Sequence, residues 1–221
     1  ELVSYWKIAC PERVEIKCGF LNDRQKEFWK QLYFGGLSEF FYINGIETDK
    51  DSFMTIECDE AEDNIAPICY KTAGINLIPV GGGKDSAVTA ELLKPFGKRN
   101  KFFTVNDQAA RTETVIAAGY GEDDIIKTYR TIDKNLLELN KKGFLNGHTP
   151  FSAIVAFLSL YCAYLIGGEY IVLSNESSAN SGNIEGREVN HQYSKSYRFE
   201  NDFIEYVGEN LLSGIRYFSL L

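Results

Sequence analysis

The chain has little of what metal, redox and membrane proteins are built from. Its 221 residues contain two histidines and one methionine. Its five cysteines (Cys10, Cys18, Cys58, Cys69, Cys162) form no C-x-x-C pair. An odd set of scattered cysteines excludes a zinc ribbon and a disulfide framework, and reads as free thiols of a reducing, cytoplasmic compartment. Positive charge is also scarce: 23 Lys and Arg against 31 Asp and Glu leave a net charge of −8, which argues against a broad nucleic-acid face. A membrane span needs about 20 apolar residues. The uncharged stretch 151–167 is shorter and is interrupted by Ser152, Ser159 and Tyr161. Thr149 as N-cap, Pro150 in the first turn and Gly167-Gly168 as the stop predict a helix there. Being hydrophobic all round, it belongs inside a layered α/β core. No secretory leader, internal repeat or low-complexity tract is visible. The chain starts at Glu1 and stops after an apolar pattern, so the natural protein is expected to extend beyond one or both ends.

What is present is concentrated in Val80-Gly81-Gly82-Gly83-Lys84-Asp85-Ser86. Residues 76–80 read as a buried strand and residues 87–93 as a helix. A glycine-rich turn between them brings several backbone N–H groups and the positive end of a helix dipole to one point, the makings of a polyphosphate cradle. Two common versions fail. A P-loop needs Ser or Thr directly after its lysine, and Asp85 stands there. The dinucleotide fingerprint needs a third glycine where Ser86 stands.

The order of elements predicts how this cradle is framed. Strands at 101–106, 124–128 and 169–174 alternate with helices at 112–118, 134–142 and 151–167. That order implies right-handed crossovers and a Rossmann-like parallel sheet with helices on both faces. Ligands in such sheets lie beyond the carboxyl ends of the strands. The turn at 80–86, Asn106-Asp107 and the segment starting at Asn175-Glu176 should therefore converge. Residues 1–70 differ in pattern. A strand at 14–17, a helix at 23–34 stopped by Gly35-Gly36, a hairpin at Glu39 to Gly45 and a strand at 53–57 predict a small α+β appendage. The acidic stretch 59–64 is the expected linker, which divides the chain at about residue 70 into regions 1–70 and 71–221.

The turn resembles the S-G-G-x-D-S signature of the PP-loop ATP pyrophosphatases, with Gly81 in place of the serine. That replacement removes one hydroxyl contact to phosphate. The adenine nucleotide alpha hydrolase-like fold follows from this resemblance. Farther on, the polar segment Ser174 to Glu200 contains Ser174-Asn175-Glu176-Ser177-Ser178-Ala179-Asn180 and Val189-Asn190-His191-Gln192-Tyr193-Ser194-Lys195-Ser196, and long polar loops of this kind are often functional. Together with Glu39-Phe40-Phe41-Tyr42 these stretches resemble the ATP-dependent UDP-N-acetylmuramoyl-L-alanyl-L-glutamate epimerases of peptidoglycan synthesis, over most of the chain. The resemblance implies ATP and magnesium as cofactors and a nucleotide-linked peptide as substrate. It also implies inversion of a terminal glutamate through an adenylated carboxylate. Under it, Val80, Gly81, Gly82, Gly83, Asp85, Ser86, Asp107, Asn175 and Glu176 bind the nucleotide. Lys84 offsets phosphate charge, Asp85 places magnesium or caps the helix, and His191 and Lys195 are the acid/base candidates. Arg187 and Arg198 are further candidates for substrate anions, and His148 reads as a turn-orienting residue. Two alternatives stay open: another adenylating enzyme of the PP-loop type, acting on tRNA or forming an amide, and an ATP-binding module without catalysis.

Overall fold

A computed structural model describes residues 1–59, 66–180 and 192–220. Most of the acidic linker, Arg187 and His191 lie outside the described residues. In chain order the elements are α1 (Leu2–Trp6), β1 (Arg13–Ile16), α2 (Asp23–Gly36), α3 (Ser38–Ile43), β2 (Thr55–Cys58), β3 (Ile68–Cys69), β4 (Ile75–Pro79), α4 (Lys84–Leu93), β5 (Asn100–Val105) and α5 (Ala109–Ala117). They continue with β6 (Ile125–Thr128), α6 (Lys134–Lys141), α7 (Phe151–Ile166), β7 (Gly168–Leu173), α8 (Tyr197–Asn210), β8 (Leu212–Ser213) and β9 (Arg216–Ser219). The chain divides into two compact units: one of residues 1–66, 132–151 and 179–202, the other of residues 67–131, 152–178 and 203–221.

The first unit is built on aromatic packing. Trp6 meets the rings of Tyr33, Phe41 and Phe53 edge-on, at centroid distances of 5.8, 6.3 and 5.6 Å, a geometry that ring quadrupoles favour. β1 and β2 form a two-stranded parallel sheet. α2 starts on a capping box, in which the Asn22 side chain accepts from the Gln25 N–H and the Gln25 side chain accepts from the Asn22 N–H. The hairpin expected at Glu39 to Gly45 is instead α3. Leu37, Phe40 and Phe41 are all buried, and a spacing of three and four is helical, not alternating. The Asn44 side chain closes this helix by donating to the Phe40 carbonyl at 2.8 Å, and Gly45 turns the chain away at φ +64°.

Gly35 and Gly36 do not stop α2. They lie inside its last turn, where a Cβ on Gly35 would come within 2.8 Å of the Tyr193 ring and one on Gly36 within 2.6 Å of the Pro150 ring. The two glycines seat residues from both distant segments of this unit. A buried lysine adds a further tie: Lys7 Nζ donates to the Gly147 carbonyl and, at 2.8 Å, to Thr149 Oγ1.

The second unit holds a five-stranded parallel sheet in the order β6-β5-β4-β7-β9, flanked by helices. β4 lies in the centre with Leu77 and Ile78 fully buried. A buried amide pair fixes its register against β5. Asn76 donates to Asn100 Oδ1 at 2.7 Å, and Asn100 donates to the Leu93 carbonyl and to the Tyr120 hydroxyl; buried polar groups persist only when paired in this way. The chain runs from β4 through α4 to β5 on one side, and β7 lies on the other. The gap between β4 and β7 is thus where the direction of winding reverses.

Two helices depart from expectation. α7 is not enclosed all round. Its small residues Ala153, Ala156, Ser159 and Ala163 form the buried stripe, while Tyr161 and Leu165 are 61% and 62% exposed. The charge-free sequence concealed this, because hydropathy does not separate an apolar face from a buried one. Among the described residues no helix is long and apolar enough to cross a membrane. The end of the expected polar loop is also helical. α8 begins at Tyr197, with Ser196 Oγ accepting from the Phe199 N–H at 3.2 Å, and Phe199, Phe203, Tyr206 and Val207 make its apolar stripe.

Candidate functional site

The site is built where β4, β5 and β7 end. β4 runs out at Pro79, residues 80–83 turn, and α4 starts at Lys84. The cap position is Gly83, which has an extended backbone and no side-chain cap. A helix leaves its first N–H groups without intrahelical partners. Here no side chain at the cap satisfies them, and a Cβ at Gly83 would meet nothing within 4 Å. The start of α4 therefore presents donors, a positive dipole end and open space.

The turn itself is held tightly. Ser86, 6% exposed, accepts the Gly81 N–H on its Oγ at 3.1 Å, folding the loop back on the helix. Gly82 has φ +84°, and a Cβ there would sit 3.2 Å from the backbone of Ala110 and Arg111. Glycine is required at this position both for the left-handed backbone and for the close approach. Val80 is buried and bonded through its N–H to the Phe103 carbonyl at 2.8 Å, so the turn leaves directly from the sheet.

β7 contributes the next wall. Ser174 Oγ donates to Thr89 Oγ1 at 2.8 Å, tying the strand end to α4. Asn175 exchanges two hydrogen bonds with Ser219: its N–H donates to Ser219 Oγ at 2.7 Å, and Ser219 Oγ donates to its carbonyl at 2.9 Å. Glu176 then meets Lys84, with Nζ 2.8 Å from Oε1, while Ser178 Oγ donates to the other carboxylate oxygen at 3.2 Å. The hydrogen bond from Lys84 and then that from Ser178 hold the Glu176 carboxyl below its ordinary pKa. The bond to Glu176 and the nearby Asp85 charge raise that of Lys84. Lys84 also lies 3.6 Å from Asp85. Its side chain is 82% exposed, so the pair is solvent-screened and free to exchange partners.

β5 ends at Val105, and Asn106 follows it with a left-handed φ of +62°. Asn106 donates its N–H to the Thr128 carbonyl at 2.7 Å and accepts the Arg130 N–H on Oδ1 at 2.8 Å. Asp107 follows, exposed, 3.8 Å from Lys127 Nζ.

Val80 to Ser86, Asp107, Asn175 and Glu176 therefore belong to one compact unit. Lys195 is an exposed residue of the first unit. Arg198 also belongs to the first unit, with its Nε 4.0 Å from Asp202. His191 lies outside the described residues. Asp85 is not the helix cap, which is Gly83; it sits in the first turn, where its charge suits the dipole. Among the described residues no group of three His, Cys, Asp or Glu forms a metal cluster. A magnesium ion usually takes only one or two protein carboxylates beside substrate phosphates, which Asp85 beside the open cradle can supply.

Sequence reasoning missed Ser219, Thr89 and Arg111. Ser219 and Thr89 act on the site through hydrogen bonds from strand ends and a helix face, which carry no local pattern. Arg111 stood in plain view four residues beyond Asp107, but only the fold brings it to Gly82.

The MurL N-terminal domain family matches residues 1–220. A protein of Xanthomonas oryzae pv. oryzae named UDP-N-acetyl-alpha-D-muramoyl-L-alanyl-L-glutamate epimerase is 32% identical over 221 residues, 99% of this chain and 48% of that protein. Proteins of the same name from Salinispora tropica and a Micromonospora species are 32% and 31% identical over 223 residues, covering 47% and 48% of their lengths. The chain thus spans about half the length of the curated relatives it matches. With residues 1–220 matched and the donor-lined turn in place, the chain belongs to the MurL N-terminal domain family.

Proposed function

We propose that this chain is the nucleotide-binding part of an enzyme that inverts the terminal L-glutamate of UDP-N-acetylmuramoyl-L-alanyl-L-glutamate, driven by ATP. The observation that carries it is the uncapped start of α4 behind Gly81, Gly82 and Gly83 at the centre of a parallel sheet. The match of 99% of this chain to about half of each protein named for that epimerisation supports it. On this reading the sheet is a Rossmann-like domain of the adenine nucleotide alpha hydrolase type, working in the cytoplasm without membrane or nucleic-acid partners.

The roles follow from charge. The N–H groups from Gly82 to Ser86 hold the pyrophosphate portion of ATP, while Val80 and the Gly81–Ser86 bond fix the turn that presents them. Lys84 leaves Glu176 to meet phosphate oxygens, and Asp107, Asn175 and Glu176 line the remainder of the nucleotide. Magnesium, which Asp85 would hold, supplies further positive charge to the phosphates. A glutamate carboxylate resists loss of the neighbouring proton, because a second negative charge would build beside the first. Attack of a carboxylate oxygen on the α-phosphorus forms an acyl–oxygen–phosphorus bond as the α–β bridge breaks and pyrophosphate leaves. The carboxyl group is then uncharged and electron-withdrawing, so a base can take the α-proton and an acid return one on the opposite face. His191 and Lys195 are the candidates for these two roles. Water then cleaves the acyl phosphate and releases AMP.

The test incubates the full-length protein with ATP, magnesium and UDP-N-acetylmuramoyl-L-alanyl-L-glutamate, and measures AMP, pyrophosphate and D-glutamate content. Substrate-dependent AMP with D-glutamate is the expected result. AMP without inversion would leave an adenylating enzyme of another kind. ATP binding with neither product would leave a binding module.

A further inference from the structure

Arg111 has no role in the reading above, yet it stands where two loops of the site meet. Its Nη1 donates to the Val105 carbonyl and, at 2.9 Å, to the Asn106 carbonyl. The guanidinium thus grips the last peptides of β5 from the first turn of α5. Its Nε is buried with no hydrogen-bond partner, so the side chain is held by those two carbonyls and not by full satisfaction of its donors. Buried orphan donors are rare and often mark strained or functional positions. On its other side, the backbone of Ala110 and Arg111 is the surface against which Gly82 packs, 3.2 Å from where a Cβ would stand. The chain beyond β5 depends on the same grip, since Asn106 is left-handed and leads straight to Asp107.

We propose that Arg111 is a positioning residue of the nucleotide site: it locks the phosphate turn at Gly82 and the Asn106-Asp107 loop into one rigid arrangement. Resting on the ATP reading, the proposal assigns Arg111 no direct contact with the ligand. Its effect passes through two backbones, one proposed to face pyrophosphate and the other the nucleoside. A ligand that bridges both loops needs their spacing, whereas a ligand that fills only the glycine turn does not.

The experiment compares Mg-ATP and inorganic pyrophosphate binding to the wild type, Arg111→Ala and Arg111→Lys by titration calorimetry, with thermal unfolding of each. Arg111→Ala should weaken ATP about tenfold or more, the scale of a lost charge-assisted hydrogen bond, and leave pyrophosphate within about threefold. Arg111→Lys, which keeps a charged donor, should recover a large part of the ATP affinity and serves if the alanine variant does not fold. Equal weakening of both ligands, or unchanged ATP affinity in a folded variant, overturns the inference. A wild type that binds pyrophosphate but not ATP overturns the nucleotide reading itself, and the positioning role with it.

Discussion

At the scale of single residues, the site depends on a few atoms whose loss should be measurable. Ser86→Ala removes the acceptor of the Gly81 N–H; a net cost of about 1 kcal/mol and weaker ATP binding are expected, read by thermal unfolding and titration. Glu176→Gln removes the charge that holds Lys84. With its partner gone, the Lys84 pKa should fall back toward the ordinary lysine value, visible in the pH titration of its NMR signal; an unmoved titration would count against the pairing. The Lys101–Asp124 pair, at 2.6 Å, gives a pH prediction. The hydrogen bond from Lys101 is the main cause lowering the Asp124 pKa, so the folded form favours the ionised carboxylate. That contribution is complete above the ordinary carboxylate pKa of about 4 and is lost as pH falls through the lower folded value. The stability advantage of the wild type over Lys101→Met should therefore be largest above about pH 4 and shrink as the pH falls below it, in unfolding measured from pH 3 to pH 7. The cradle residues were legible because glycines, Lys84, Asp85 and Ser86 are adjacent in the chain. Arg111, Thr89 and Ser219 were not, because each reaches the site through a bond or contact that only the fold creates.

At the scale of elements, the chain was read well where period and punctuation agreed and poorly where packing decided. α4, β5 and β7 fall within a few residues of expectation, since apolar runs were bounded by glycine or polar turns. α3 was hidden behind Asn44-Gly45, a hairpin signal that here ends a helix. Gly35 and Gly36 looked like a stop, yet they are seats for Tyr193 and Pro150. Gly36→Ala should drive a methyl group into the Pro150 ring and cost about 1–3 kcal/mol, seen as a lower melting temperature. The same substitution at Gly208, where a Cβ meets nothing within 4 Å, should lack that penalty. On α7, Leu165→Lys should change stability by no more than about 0.5 kcal/mol, because the side chain faces water. Ala156→Leu, on the fully buried stripe, should destabilise far more.

At the scale of the whole molecule, the unit around Trp6 is assembled from three separated stretches of chain. Its core takes in Leu145, its helix α2 seats Pro150 and Tyr193, and Lys7 is satisfied by Gly147 and Thr149. A fragment of residues 1–70 should therefore fail to fold alone, with little helical circular dichroism and no cooperative melt; a cooperative transition would refute the dependence on the later segments. By itself the sequence determined what local chemistry can encode. The alternation of strands and helices specified a parallel α/β sheet, and the glycines before α4 specified a turn that leaves the helix start without a side-chain cap, because backbone freedom and helix dipoles act over a few residues. Only the tertiary structure decided which distant segments share a core, which face of α7 meets water and which side chains brace the turn. Those outcomes depend on packing between residues far apart in the chain, and no local pattern records it.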